Sequence, residues 1–221
     1  MVALWGLAAC VVVGYYRFSG FAGLLEPVAK WQCAYGAWAA FMNRAFFCGL
    51  LPGLFLWCMP AIRPPRPLLV VVAQIVWSGA CGIAADVMYS LNAHWFGTGI
   101  DPTTLLLKTA VSQFLWTPLV FTFPGAVFCF WIGCDFSWRR VRREWPADYW
   151  RVGYLPFLLS NWVIWIPVLL AVHAFPTALQ IQLSGLAGSF WTLFGLELGR
   201  LARLRQSDIE QPKRSLNAAL R

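Results

Sequence analysis

Charge is what this chain has least of. Of its 221 residues, 12% are charged, against about 25% in an ordinary water-soluble domain. Acidic residues are the scarcest, nine Asp and Glu against 17 Lys and Arg. A deficit this deep excludes the usual soluble surface. The chain holds only two His, and HExxH, GxSxG and P-loop patterns are absent. No catalytic constellation can be assembled from what remains, so no enzyme is expected. The seven Cys, at 10, 33, 48, 58, 81, 129 and 134, include no CxxC pair, and no His stands at metal-ligand spacing. No metal site and no cofactor is expected. Most of these thiols fall inside apolar runs and read as buried, small apolar side chains. The first residues, "MVALWGLAAC", place no basic group ahead of the apolar run. They make a poor secretory signal, lipoprotein signal or transit peptide, so a retained first helix is expected.

The net charge of +8 raises the question of nucleic acid. The basic residues sit in short gaps between apolar runs rather than on a stripe of a polar domain, so no nucleic-acid partner is expected. Hydrophobic residues make up 60% of the chain and aromatics 17%, with a mean hydropathy of +0.63. This is the make-up of an integral membrane protein, all-α, whose partners are membrane lipids.

A span needs about 20 mostly apolar residues. Residues 2–16 are short for one. Runs follow at 34–62, interrupted by Arg44, at 67–95, which holds Asp86, and at 104–134. The run 152–196 is too long for one helix. Pro176 near its middle predicts two helices with a turn at about 173–177. Five spans result, or six if 2–16 also crosses. The chain divides into an N-terminal apolar segment, 1–33, a helical bundle, 34–200, and a polar basic tail, 201–221. Arginines crowd the loop 135–151 and the tail, so both are expected on the cytoplasmic side, with 63–66, and 98–103 is expected outside.

In "SWRRVRREWPADYW", Trp138, Val141, Trp145 and Tyr149 recur at helical spacing. An interfacial amphipathic helix over about 137–150 is expected, with Arg139, Arg140, Arg142 and Arg143 as candidates for lipid head groups. Gly185, Gly188, Thr192, Gly195 and Gly199 form a small-residue stripe, and Gly79, Gly82, Asp86 and Tyr89 a second face. Both are expected to be helix-packing seams, of use to a homo-oligomer as well as to one chain. Asp86 costs about 3 kcal/mol at mid-span, which favours an inward position. Either it ties helices together, with Arg44 as a candidate partner, or it lines a path with Tyr89. Gln113 and Asn161 are the other polar candidates. Trp165, Pro167 and Pro176 mark a kink that serves a gate or merely shapes the bundle. His173 is expected at the outer turn, and Glu197 paired with Arg200 at a helix end.

These residues carry a resemblance. "KTAVSQFLWTP", with Lys108, Gln113 and Pro118, resembles the Lys–Asp–Gln–Pro signature of the Mpv-seventeen and peroxisomal-membrane-protein family, with Ser112 where that signature has Asp. Asn161 and Trp165, then Pro167, Phe175, Pro176 and Trp191, are similar to its later elements. The match runs over about residues 64–199. Ile166 between Trp165 and Pro167, His173 near the second Asn, and "WTLFGLEL" depart from it. The N-terminal portion resembles bacterial relatives. The resemblance implies a multi-pass helical bundle without cofactor, a channel or pore-like role for small solutes or ions, and a bacterial inner membrane ahead of a mitochondrial or peroxisomal one. A non-transporting scaffold or assembly factor is the alternative.

Overall fold

The computed structural model describes residues 2–59, 63–64 and 66–193. Among them every regular element is helical. Helix α1 is Val2–Arg17, α2 Ser19–Cys58, α3 Pro67–Phe96 and α4 Pro102–Gly133. Helix α5 is Trp138–Glu144, α6 Leu155–His173, and α7 covers 177–193. Four of them, α2, α3, α4 and α6, are long and apolar enough to cross a membrane. The bundle is inverted relative to a soluble one. Leu24, Leu68 and Leu119 are exposed, whereas Gln32, Asn92, Lys108 and Gln113 are buried. That is how a protein sorts its side chains when the solvent around it is hydrocarbon.

Helix α2 begins at Ser19, so the expected boundary at 33/34 runs through a helix. Glu26 and Lys30 pair at 2.8 Å, one turn apart, and so carry charge within a continuous helix. The break falls instead at Gly36, whose φ of 48° and ψ of −124° are non-helical. Only glycine adopts such an angle without strain. The side-chain amide of Gln32 donates to the Gly36 carbonyl at 3.1 Å.

Among the described residues prolines widen three stretches into π-helix: Ala45–Leu50, Ser112–Thr122 and Trp150–Tyr154. Each has a proline close by, at Pro52, at Pro118 and at Pro156. A proline ring clashes with the carbonyl four residues back and brings no N–H. Widening the turn relieves the clash and shifts the hydrogen bonds to five-residue spacing. Pro167 sits within α6 without such widening.

The turn expected near Pro176 is present. The amides of Ala174 and Phe175 close α6 on Ala171 and Val172, and Leu179 N donates to Pro176 O at 2.8 Å to open the next helix. Asp101 caps α4 by accepting from Thr104 N at 3.0 Å. The helix expected at about 137–150 is shorter, covering Trp138–Glu144. Helix α5 stops at Glu144, because Pro146 forces Trp145 into extended geometry (ψ 118°). Val141 is its one buried side chain. Trp145 and Tyr149 lie beyond the helix but still pack together, with ring centroids 4.4 Å apart.

Helix α2 packs along α3, α4 lies against α6, and α1 touches both α2 and α6. The core is Ala40, Ala85, Met88, Tyr89, Val168, Leu169, Val172 and Ile181. Arg66 bridges Asp135 at 3.4 Å, which holds the segments before α3 and after α4 at one end. At the other end, the Tyr15 ring meets Phe175 at 5.0 Å. The thiols correct an expectation: among the seven Cys only Cys134 is buried, and Cys10, Cys33, Cys58 and Cys129 face outward. An outward position costs an apolar side chain little where the surroundings are lipid.

Candidate functional site

One face of α3 organises the polar interior. It carries Gly79, Gly82, Asp86, Tyr89 and Asn92 at spacings of three and four, so they stack along one side of the helix. Gly79 lets the Phe41 ring lie against α3, and Gly82 admits the Ala40 carbonyl and the stem of Arg44. With α2 brought this close, Asp86 accepts from Gln32 Nε2 at 2.9 Å. Gln32 Oε1 in turn accepts from Gln182 Nε2 at 2.8 Å. Gln182 Oε1 takes a short hydrogen bond from Asn43 Nδ2. One chain of carboxylate and amides thus joins α3, α2 and α7. Gly185 is what lets Asn43 approach α7. Asn43 and Gln182 also line an outward-opening groove, otherwise apolar, with Trp31 and Phe46.

Arg44 does not pair with Asp86. Its stem passes Gly82, and its Nη2 donates to Ser184 Oγ on α7 at 3.1 Å. Among the described residues the ion pairs are Glu26–Lys30, Arg66–Asp135 and Arg143–Glu144. Asp86, half-buried, is held by an amide rather than by a counter-charge.

The second polar cluster lies two turns further along the same face. Asn92 Nδ2 donates to Ser112 Oγ at 2.9 Å, and that oxygen stands 3.2 Å from His173 Nε2. The Tyr89 ring meets the His173 ring edge-on, centroids 5.6 Å apart. Lys108, one turn before Ser112, is 2% exposed, and Thr109, Gln113 and Gln180 are buried too. Asn92 Oδ1, Thr109 Oγ1, Gln113 Oε1 and His173 Nδ1 are enclosed without a hydrogen-bond partner. His173, the last residue of α6 before the expected turn, is therefore a buried member of a polar cluster.

The four expected lining residues do not form one hydrogen-bonded set. Asp86 belongs to the first cluster, Tyr89 reaches the second through His173, and Gln113 borders the second on α4. Asn161 is buried on α6 but joins neither. Trp165 packs on the core and lies near Gly188, where an added Cβ would also come 2.7 Å from Cys48 Sγ. Pro176 shapes the turn before α7. Arg139, Arg140, Arg142 and Arg143 are exposed on α5, and Arg143 pairs with Glu144. Gly195, Gly199, the Glu197–Arg200 pair and the basic tail lie outside the described residues.

Sequence reasoning missed Gln32, Asn43, Asn92, Gln180 and Gln182. One signal was available. Asn92 extends the Asp86–Tyr89 face by a further three residues. Compared with protein-family models, curated proteins and solved structures, the chain matches none.

Proposed function

We propose that this chain is a multi-pass membrane protein that passes small solutes or ions through its helix bundle, along the polar face of α3. The observation that carries the proposal is the pair of buried polar clusters on that face, which leave Asn43 Oδ1, Asn92 Oδ1, Thr109 Oγ1, Gln113 Oε1 and His173 Nδ1 without a hydrogen-bond partner. Each such atom, if kept dry, costs about 1–3 kcal/mol. Water relieves that cost where a site offers it several polar partners. A hydrated seam inside an apolar bundle is the minimal requirement for moving a polar solute.

The spans under this proposal are α2, α3, α4, α6 and α7, with α1 as a sixth where it crosses. The end marked by Arg66 and Asp135 is assigned to the cytoplasm, where the α5 arginines meet anionic head groups. The host is a bacterial inner membrane. The likeness to the Mpv-seventeen family belongs to the same proposal.

The test is conductance of the purified protein in a planar bilayer, beside Asp86→Asn and Asn161→Ala. Unitary currents altered by Asp86→Asn are expected. A silent bilayer with folded, inserted protein would overturn the proposal in favour of a scaffold. The close packing at Gly185 and Gly188 already favours that second reading. Currents indifferent to both substitutions would remove these residues from the path.

A further inference from the structure

Helix α2 changes character at Gly36. Beyond it, Ala39 and Ala40 are 0% exposed, clamped on α3 where Gly79 admits Phe41 and Gly82 admits the Ala40 carbonyl. Before it, contact is sparse. From residue 11 to residue 38, Gln32 is the one buried side chain, and Phe18, Leu24 and Tyr35 face outward. Where the surroundings are lipid, packing and hydrogen bonds are what hold helices together, and residues 11–35 have little of the first. Helix α1 joins this half of α2 through Phe18, whose backbone is extended (φ −121°, ψ 105°).

Among the described residues, two side chains of this N-terminal part make its hydrogen bonds to the rest of the bundle. The Tyr16 hydroxyl donates to the Ala174 carbonyl at 2.5 Å, and the neighbouring Tyr15 ring lies on Phe175, so both tyrosines close on the turn after His173. Gln32 donates to Asp86 Oδ1 at 2.9 Å and accepts from Gln182 at 2.8 Å. One fastening therefore sits at each of the two polar clusters. Between them and the clamped half of α2 stands Gly36, at φ 48° and ψ −124°, an angle pair that glycine alone adopts without strain. A Cβ there would meet nothing within 4 Å, so no neighbour obstructs the backbone. A groove of about 520 Å³ separates Trp31, before the break, from Met42, Phe46 and Phe47 beyond it.

We propose that residues 2–35 form an arm that swings about Gly36, held shut by Tyr16 at the α6–α7 turn and by Gln32 at Asp86. Swinging out breaks both fastenings together, because the arm is continuous helix between them apart from the bend at Phe18. It takes Gln32 away from Asp86 and uncovers that side of the polar face of α3. Hinges of this kind are a few residues that absorb a large backbone change while the elements on either side stay whole. For the path proposed along α3, the open arm is a lateral entrance. The hinge itself is a property of the fold and stands whether or not solute crosses the bundle.

The experiment is the distance between spin labels on Cys10 of α1 and Cys129 of α4, both outward-facing, in the full chain with its other thiols replaced. The parent should give one narrow distance by double electron–electron resonance. Each fastening removed shifts the equilibrium by about two- to ten-fold. Tyr16→Phe with Gln32→Leu should therefore raise a second, displaced distance by about ten-fold or more. Gly36→Ala denies the backbone its angle and should displace the arm in most molecules. Trp162→Phe, which weakens the bundle away from the arm, should leave the single distance. An unchanged distance in both Tyr16→Phe/Gln32→Leu and Gly36→Ala would overturn the proposal. So would equal broadening in Trp162→Phe, which would mean general looseness rather than a hinge. If the thiol-replaced chain does not fold, the native chain serves. Modification of Asp86 by dicyclohexylcarbodiimide, read by peptide mass, should then be about ten-fold faster or more in Gly36→Ala, and an equal rate would overturn the proposal.

Discussion

The π stretch in α4 has a defect that a single side chain repairs, and the repair can be measured. Within Ser112–Thr122, the amide of Phe123 donates to the carbonyl of Pro118, five residues back. The same register directs the amide of residue 118 to the Gln113 carbonyl, and Pro118 has no N–H. Trp162, on α6, supplies the missing hydrogen: its Nε1 donates to Gln113 O at 2.9 Å. Trp162→Phe keeps a ring against Phe114, which it meets at 5.0 Å, but leaves that carbonyl bare. An unsatisfied buried carbonyl costs about 1–3 kcal/mol, and lipid offers no substitute. Destabilisation of about 2 kcal/mol is expected, plus a smaller packing loss. Pro118→Ala restores the ladder donor. In that background Trp162→Phe should lose only the packing component, so the double-mutant cycle should show a coupling of about 1–2 kcal/mol. The four proteins are compared by reversible unfolding in mixed micelles of maltoside and dodecyl sulfate. Additivity within about 0.3 kcal/mol would refute the hydrogen-bond repair, whatever the single substitutions cost.

Two further outcomes follow from particular contacts. A Cβ on Gly49 would stand 2.7 Å from the Ile75 Cα and 2.9 Å from the Gln74 carbonyl. Gly49→Ala therefore pushes two helix backbones apart and should destabilise by about 1–3 kcal/mol. A Cβ on Gly23 would meet nothing within 4 Å, so Gly23→Ala should be neutral or gain up to about 1 kcal/mol; thermal melts that rank the two the other way would refute the close approach of α2 and α3. The Thr104 amide holds the Asp101 carboxyl below its ordinary value of 3.8. A depressed carboxyl stabilises the fold above its unfolded value and loses that contribution as pH falls through the folded one. The start of α4 should therefore loosen only below about pH 4, seen as faster amide exchange at Thr104 relative to Asp101→Asn, in which that acid dependence should vanish.

How much of this was legible in the sequence depended on whether a feature is decided within one helix. Apolar runs located α3, α4 and α6 to within a few residues, and Pro176 located the turn, because a proline and a run of hydrocarbon act locally. Helix α2 reached back to Ser19 because Glu26 and Lys30 cancel one another a turn apart, whereas a scan for uncharged stretches counts them as an end. Helix α5 was overextended because its apolar period continues through Trp145 and Tyr149 while Pro146 does not allow the backbone to follow. The partner of Arg44 was out of reach for a different reason. Its stem runs where Gly82 leaves room, and that gap leads to Ser184 rather than to Asp86.

The polar residues show the same division. Asp86, Tyr89 and Gln113 are conspicuous singly, but a hydrogen-bonded set is a property of helix crossings. Ser112 and His173 are 61 residues apart in the chain and share a site only because α4 lies against α6. Spacing nonetheless contains one usable clue. Lys108 and Ser112 are one turn apart, the interval at which a lysine and an acid neutralise each other. A serine there leaves the ammonium without an acid one turn on, and its hydroxyl is taken up by Asn92 and His173 instead. The missing carboxylate is legible within α4, whereas the partners that Ser112 has instead are set by where α3 and α6 cross it.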